Sequence, residues 1–428
     1  MTLTVNRRGA GRIFGATTAL ALLMGTSAMA VDLTIMLNEN DNQSAAIARL
    51  IEDYKSVAPD VNISLNVVGY DVIRDQLKGQ LEAGVGPDIG LITDLGGLNP
   101  FYVDLTPYVD VAEWEANYGA VLPWYRAGAP DGIYGFHSEL TVTGPFINVT
   151  LFEEAGVEIP PAGATWDDWA EAVRQVKDAT GIYAGMVMDR SGHRFAGPAM
   201  SYGAQYFDDE GHLITDQGYR DFAERMVAWH ADGTMPPDVW PAVSGSSYAN
   251  GNEMFTAGDV AMHMAGSWNV GNVFRTVGDA FEWRVVPVPC GPAGCGVMPG
   301  GSGFVAFNVG PNAEEAAKFV AWLGDTDRAR DWYTSTLAIP AHSGLQAEGL
   351  DYTTAGASEE VSAALQTFAL GAARAAADTP QAFQLQGNKN AFVMFNATAQ
   401  YISGVMTGEF TMDEAIARID AELLEKAR

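Results

Sequence analysis

The chain has 428 residues, of which 48 % are hydrophobic and 18 % are charged. This balance excludes a disordered protein, because disorder requires low hydrophobicity together with high charge. The length excludes one small domain and predicts two or three hydrophobic cores, since single cores stop growing at about 250 residues. A net charge of −29 also argues against binding to nucleic acid or to an anionic membrane surface.

The first thirty residues have the organisation of a secretory signal. Three arginines between positions 7 and 12 form a basic start, an apolar run covers 13–25, and Ala28-Met29-Ala30 gives a small-x-small cleavage pattern. The apolar run is too short to span a membrane. We therefore expect a cleaved signal peptide over 1–30 and export to the periplasm. Its removal takes away three arginines and no acids, which changes the net charge from −29 to −32.

Alternating strand and helix patterns follow the signal. Leu33 begins a strand-like alternation, a helical stripe covers 47–54, a second alternation covers 61–67, Asp71 can cap a second helix, and 89–92 forms a short apolar strand. This βαβαβ order predicts a mostly parallel sheet with helices on its faces. The polar segments 38–41 and 93–94 follow the first and third strands, at the sheet edge where ligands bind in open α/β sheets.

The middle and the end of the chain are more helical. A capping box begins a helix at Thr165, a hairpin is expected over 206–215, and an amphipathic helix over 314–323. The Pro- and Gly-rich stretch 285–303 reads as a loop, and a second capping box starts the last helix at Thr411. No obvious linker separates two halves, which indicates lobes that interleave along the chain.

The two cysteines, Cys290 and Cys295, lie five positions apart with Gly and Pro between them. In an exported protein this spacing favours a disulfide that closes a small loop. Two cysteines alone make a poor metal site, so we expect no metal and no cofactor.

Common catalytic signatures are absent from the sequence. The six histidines are scattered, and the sequence contains no HExxH, GxSxG, GxGxxG or Walker motif. Aromatic residues in polar settings stand out instead, namely Trp268 in Gly-Ser-Trp-Asn and Tyr202 in Ser-Tyr-Gly. Aromatic rings cover the C–H faces of sugars while polar side chains bond the hydroxyls, so these residues indicate a carbohydrate site.

Several motifs occur in an order and spacing that resemble a known family, the extracellular solute-binding proteins of sugar ABC importers, to which maltose-binding protein belongs. The motifs are Gly86-Pro87-Asp88-Ile89 with Thr93-Asp94, Asp131–Gly135, Phe146-Ile147-Asn148, Thr165–Asp168, Met254–Met262 running into Gly266-Ser267-Trp268, and Gly300–Gly303.

The resemblance implies an α/β, two-lobed periplasmic binding protein fold with interleaved lobes and a hinge. Lobe 1 would cover 31–139, with about 301–343 returning to it, and lobe 2 would cover 143–298, with about 350–428 returning to it. The ligand would bind in the cleft between the lobes.

The resemblance also implies the residues of the site. The first lobe would supply Asn38, Glu39, Asn40 and Asp94, and the first crossing segment Glu139. The second lobe would supply Trp268 as a stacking platform, and we add Tyr202 from its own aromatic setting. The remaining candidates match cleft loops: Arg190, His193, Arg194, Gly301 and Ser302.

The implied function is that of a periplasmic substrate-binding subunit that performs no chemistry and delivers a mono- or oligosaccharide to two membrane permeases with a cytoplasmic ATPase. We expect a monomer. Maltose binders carry a basic residue where Leu95 stands and an aromatic residue where His193 and Arg194 stand, which argues against maltose itself as the ligand. A cluster of Arg190, His193 and Arg194 in the cleft would suit an acidic or sulfated sugar, which is an alternative ligand. A secreted carbohydrate-active enzyme is the alternative from another class.

Overall fold

The computed structural model describes residues 30–126, 131–243 and 247–427, without the side chains of 376–378 and 427. The expected signal peptide therefore lies almost entirely outside the described residues. Within these ranges, no helix is both long enough and apolar enough to cross a bilayer.

The described residues form eight strands and seventeen α-helices. The strands are β1 (Val31–Asn38), β2 (Val61–Val68), β3 (Ile89–Ile92), β4 (Phe136–Asn148), β5 (Ala184–Met188), β6 (Val260–Gly266), β7 (Trp283–Val285) and β8 (Pro299–Ala306). The first ten helices are α1 (Asp41–Tyr54), α2 (Tyr70–Glu82), α3 (Val111–Tyr118), α4 (Leu122–Tyr125), α5 (Val149–Ala155), α6 (Trp166–Thr180), α7 (Gly192–Ser201), α8 (Gln217–Ala231), α9 (Gly251–Thr256) and α10 (Val270–Val277). The others are α11 (Ala313–Leu323), α12 (Thr326–Thr336), α13 (Ser343–Glu348), α14 (Glu359–Asp378), α15 (Pro380–Gln386), α16 (Ala391–Met406) and α17 (Met412–Ala427).

The strands pair in the order β2-β1-β3-β8-β4-β6-β5, and β7 pairs with β4. β1 runs parallel to both β2 and β3, as the βαβαβ pattern predicts. β8 runs antiparallel to β3 and β4, and β5 runs parallel to β6. The α/β fold class expected from the sequence is confirmed.

The long strand β4 connects the two halves of the sheet. Its first part, from Phe136 to Val142, pairs with β8, and its second part, from Thr143 to Ile147, pairs with β6. We call β2-β1-β3-β8 the first half and β6-β5 with β7 the second half. Because β4 pairs with strands of both halves, the two halves lie directly next to each other in the sheet.

The helix starts follow the sequence in most places. The capping boxes at Thr165 and Thr411 are both formed, with reciprocal bonds between side chain and backbone. The prediction that Asp71 caps the second helix is wrong: the helix starts one residue earlier, Gly69 occupies the cap, and Asp71 lies in the first turn. Carboxylates in the first turn remain favourable there because they face the positive end of the helix dipole.

The interpretation of 285–303 as a loop is wrong at both ends. β7 extends to Val285, and Pro299 starts the strand β8, which lies between β3 and β4 at the centre of the sheet. Glycine is unusual in a central strand, but here the neighbours leave no room for side chains. A Cβ on Gly303 would lie 2.0 Å from the Tyr125 hydroxyl.

The segment before β8 is closed by a disulfide between Cys290 and Cys295. This loop packs against the start of α6, since the Trp166 N–H donates to the Cys290 carbonyl at 2.9 Å. At the expected hairpin, the structure forms an isolated bridge between Phe207 and Leu213 rather than two strands.

Candidate functional site

A cavity of about 740 Å³ is lined by residues from both halves of the sheet. Asn38 and Thr93 come from the ends of β1 and β3 in the first half, and Asp189 and Trp268 follow β5 and β6 in the second. The cavity therefore lies at the carboxyl ends of parallel strands, where open α/β sheets hold their ligands.

The first half contributes amides and hydroxyls. Asn40 caps α1 by accepting the Gln43 N–H at 3.1 Å, and both side chains line the cavity. Tyr70 opens α2, and its hydroxyl lies 2.8 Å from the Thr93 hydroxyl. The polar loop after β1 thus both starts a helix and presents hydrogen-bonding groups to the cavity.

Strands β4 and β8 form the floor through Glu139 and Ser302. The Ser302 hydroxyl donates to the Glu139 carboxylate at 2.9 Å. Burial raises the pKa of Glu139, and the Ser302 bond opposes that rise. The adjacent Gly301 also lines the cavity.

An indole and a guanidinium stack on the wall of the second half. The guanidinium carbon of Arg194 lies 3.7 Å from the ring centroid of Trp268, which is a close cation–π geometry. Gly266 makes the ring position possible, because a Cβ there would lie 1.9 Å from the indole. One face of the predicted stacking platform is therefore occupied by Arg194.

His193 is neutral and has a defined tautomer. Its Nε2 lies 3.2 Å from the Pro299 carbonyl and 3.1 Å from the Gln386 side-chain oxygen, while its Nδ1 accepts from Arg194 at 2.7 Å. The proton must therefore be on Nε2. Burial, helped by the positive charge of Arg194, lowers the pKa of His193 to about 3.

Asp189 compensates part of the positive charge. Its carboxylate accepts from His263 Nε2 at 2.8 Å and lies 3.9 Å from Arg194 Nε. Burial acts to raise the pKa of Asp189, but His263 and Arg194 together hold it below its ordinary value. Burial lowers the pKa of Arg194 to about 10, so Arg194 stays charged at neutral pH.

Arg190 is held by uncharged groups. It donates from Nε to the Trp240 carbonyl at 3.0 Å and from Nη2 to the Ala399 carbonyl at 3.3 Å. The Tyr248 ring covers its guanidinium at 4.2 Å. These contacts fix the plane of the guanidinium at the cavity wall.

One face of α16 completes the wall, and sequence reasoning missed it. Phe392, Asn396 and Gln400 recur every four residues and line the cavity together. The available signal in the sequence was the helical spacing itself, which places the two amides on the same helix face as the aromatic ring. The other lining residues that the sequence analysis missed are Gln43, Tyr70, Arg74, Asp75, Thr141, Asp189, Ser191, Gly192, Tyr248, Gln386, Phe395 and Ala399.

The structure brings nine of the twelve predicted ligand-binding residues to the cavity wall. They are Asn38, Asn40, Glu139, Arg190, His193, Arg194, Trp268, Gly301 and Ser302. Whether each contacts a ligand stays a prediction.

The other three predicted residues, Glu39, Asp94 and Tyr202, are not among the lining residues, and their contact with a ligand also stays a prediction. Glu39 is exposed. Asp94 accepts the Gly97 N–H at 2.9 Å, and burial raises its pKa to about 6. The Tyr202 ring packs on Phe222, with ring centroids 5.5 Å apart, on α8.

The cavity has the chemistry of a polar binding site. It combines amides, hydroxyls, carboxylates and guanidiniums with one indole and two phenyl rings. Within the described ranges, one group of side chains has the spacing of a metal site, and its members, Asp208, Glu210 and His212, are exposed and lie outside the cavity.

Comparison with known proteins gives curated relatives that bind sugars by name. The lactose-binding protein of Rhizobium radiobacter is 28 % identical over 290 residues, which cover 65 % of this chain and 66 % of that protein. The arabinooligosaccharide-binding protein of Bacillus subtilis is 29 % identical over 174 residues, 39 % of each chain. This chain therefore spans less than two thirds of the length of these relatives.

Solved structures share the fold over nearly the whole chain. The GacH receptor of Streptomyces glaucescens superposes with a TM-score of 0.75 at 18 % identity, covering 92 % of this chain and 99 % of that one. A solute-binding protein from Agrobacterium vitis S4 with bound D-mannitol gives 0.72 at 17 % identity, covering 93 % and 98 %. These likenesses confirm the two-lobed, maltose-binding-protein-like fold.

The family model of the bacterial extracellular solute-binding proteins matches residues 38–329. The match covers more than half of the chain and includes both the polar loop after β1 and the Trp268 segment. The relatives named above are binding proteins and not enzymes. The chain therefore belongs to the bacterial extracellular solute-binding protein family.

Proposed function

We propose that this protein is the substrate-binding subunit of an ABC importer, and that it captures a mono- or oligosaccharide in the cavity between the two halves of the sheet. One observation carries the proposal: the cavity of about 740 Å³ places an indole, Trp268, among amide, hydroxyl and charged side chains from both halves. A volume of this size suits a small-molecule ligand.

The lining matches the two kinds of surface that a sugar offers. Trp268 is available to the C–H face of a ring, and Asn38, Asn40, Asn396 and Gln400 offer both donors and acceptors to hydroxyls. Pairing each hydroxyl matters, because a buried polar group without a partner costs about 1–3 kcal/mol. The sugars in the names of the curated relatives support this ligand class.

The proposal includes a hinge. Lobe 1 would consist of 31–139 and about 301–343, and lobe 2 of 143–298 and about 350–428. The strand β4 pairs with β8 and then with β6, so it joins both lobes and leaves the cavity between them. A ligand that contacts both lobes stabilises the closed state, and two permeases with their ATPase would recognise that state.

Export completes the proposal. The family is described as extracellular, which supports cleavage of the signal peptide after Ala30 and delivery to the periplasm. Mass spectrometry of protein recovered from a periplasmic fraction of the expressing cell tests this step. A mature chain that begins at Val31 supports the proposal, and a chain that retains residues 1–30 contradicts it.

A thermal-shift screen across mono- and oligosaccharides tests the function. A true ligand at 100 times its Kd adds about 2.7 kcal/mol to the free energy of unfolding, which gives a clear rise in Tm. Chromatography of the same samples then separates binding from catalysis. Unchanged ligand supports the transport proposal, turnover supports the enzyme alternative, and the absence of any shift across the panel contradicts the proposal.

A further inference from the structure

The cavity is lined by equal numbers of positively and negatively charged side chains. The contacts among the described residues nevertheless leave one positive charge without an ionic partner. Three guanidiniums (Arg74, Arg190, Arg194) and three carboxylates (Asp75, Glu139, Asp189) line the cavity. The contacts of each carboxylate show how far neighbouring groups already compensate its negative charge.

Every carboxylate at the cavity is engaged by a neighbouring side chain. Asp75 holds Arg74 through two bonds of 2.7 and 2.8 Å. Asp189 accepts from His263. Glu139 accepts from Ser302, and burial raises its pKa, which weakens its contribution of negative charge.

Arg190 is the exception among the guanidiniums. In the part of the chain that the structure describes, it forms no ion pair, and its two hydrogen bonds go to backbone carbonyls. A guanidinium has five N–H donors, so three of them remain without a bond to a described protein atom. The two carbonyls and the Tyr248 ring hold the group in one orientation, which is the preorganisation that anion recognition needs.

A second guanidinium, that of Arg74, lines the same cavity from the other half of the molecule. Arg74 lies on α2, next to the first half of the sheet, whereas Arg190 follows β5 in the second half. Burial lowers the pKa of Arg190; the Tyr248 phenol opposes this effect, and the positive charge of Arg74 adds to it. Because Asp75 already pairs Arg74 through two bonds, the uncompensated charge of these two guanidiniums lies mainly at Arg190.

The geometry points to a ligand with an anionic group, a carboxylate or a sulfate ester on a sugar, bound by Arg190 with Arg74 on the opposite wall. This inference rests on the proposed function and specifies its ligand. An anion at Arg190 supplies the counter-charge that this guanidinium lacks among the described residues, and Arg74, which Asp75 already pairs, adds a weaker attraction from the other half. The charged sugar therefore favours the closed state. A neutral sugar leaves Arg190 desolvated without a counter-charge, which is costly.

Calorimetric titration of the purified protein with matched pairs of disaccharides tests the inference. One arm compares a glucuronosyl disaccharide with its glucosyl parent, and the other compares a 6-O-sulfated disaccharide with its unsulfated parent. We expect at least one charged member to bind about 100-fold more tightly than its parent, with the difference shrinking at high salt. The arm in which this occurs identifies the anionic group.

Substitutions distinguish a direct contact between Arg190 and the anionic group from an effect of the overall charge of the protein. Arg190→Gln should reduce the ratio of the charged-sugar affinity to the neutral-parent affinity about 100-fold, because it removes both the contact to the anion and the desolvated charge under the neutral sugar. Arg190→Lys should retain part of the preference. The matched control is Arg330→Gln, which removes the same charge from an exposed pair with Glu348 outside the cavity and should change neither affinity. If Arg190→Gln fails to fold, the wild-type pairs and Arg190→Lys decide.

Neutral parents that bind as tightly as the charged members in both arms overturn this inference but support the proposed function. An equal loss for both members of a pair in Arg190→Gln also overturns it. If neither the pairs nor any sugar of the wider screen binds, the proposed function fails and this inference fails with it.

Discussion

At the residue scale, Trp268 and Arg194 show that the predicted location of a side chain does not reveal which neighbour contacts it. The indole lies on the cavity wall, as the resemblance implied, but Arg194 stacks on one of its faces. A ligand ring therefore either stacks on the other face or displaces the guanidinium. The sequence indicates an aromatic platform, whereas its partner at 3.7 Å depends on where α7 places Arg194.

Replacing Trp268 with alanine should weaken sugar binding at least tenfold, because the ligand loses both the buried ring area and the stacking geometry. Trp268→Phe is the matched control and should lose less, since it keeps a smaller ring. Calorimetric titration with the sugar found in the screen measures both. An unchanged affinity in Trp268→Ala would contradict the placement of the ligand against this ring.

Asp94 gives a prediction on pH and stability. Its carboxyl has a pKa of about 6 in the folded protein, raised by burial from 3.8, so the folded state binds the proton more tightly than the unfolded chain. The free energy of unfolding therefore falls as pH rises from about 4 to about 6, and the penalty is complete above that range.

The variant Asp94→Asn removes this penalty and keeps an oxygen that accepts the Gly97 N–H. We expect it to raise the free energy of unfolding at pH 7 by ~1–3 kcal/mol and to change it little below pH 4. Because Asp94 lies outside the cavity wall, sugar affinity should stay the same. Denaturant titrations at several pH values check the first point, and a loss of affinity would show that Asp94 contacts the ligand after all.

At the scale of elements, the glycine-rich strand β8 shows why local sequence misled. Gly300–Gly303 has the composition of a turn, and it was interpreted as part of a loop. The structure places it between β3 and β4, where backbone and aromatic groups crowd each glycine. Close approach of neighbouring chains requires glycine just as a turn does, so composition alone does not distinguish the two cases.

The variant Gly301→Ala tests the interpretation that close neighbours require glycine in β8. The new Cβ would lie 2.1 Å from the Glu139 carbonyl and 2.4 Å from His137 Nε2, and the backbone has a φ of 155°. We expect a loss of about 2–4 kcal/mol in the free energy of unfolding. The control is Gly79→Ala in α2, where nothing lies within 4 Å of the added Cβ and helix propensity should stabilise slightly. Equal Tm values for both variants would contradict the prediction.

At the scale of the whole molecule, interleaving makes the two halves act together. Each half carries residues from distant parts of the chain, since β8 joins the first half after β6 and β7 have formed the second. One half can therefore move relative to the other only if the strands that connect them deform, above all β4. This arrangement supports a hinge rather than two independent domains on a flexible linker.

A bound sugar should close the cleft and make the molecule more compact. Small-angle X-ray scattering measures this change as a smaller radius of gyration, against roughly 22 Å for a compact chain of this length. The Trp268→Ala variant, compared at a sugar concentration near the Kd of the wild-type protein, serves as the control and should close to a smaller extent. Saturating ligand that leaves the scattering of the wild-type protein unchanged would exclude closure.

The sequence by itself determined the α/β class, the opening βαβαβ unit, both capping boxes and nine of the residues on the cavity wall, because these depend on local periodicity and on motifs of fixed spacing. The tertiary structure alone decided that Gly300–Gly303 is a central strand, that Asp94 and Tyr202 are not among the lining residues, and that Arg190 and Arg74 line the same cavity. These outcomes depend on contacts between residues far apart in the chain. Local patterns carry no information on which distant backbone or charge fills the neighbouring space.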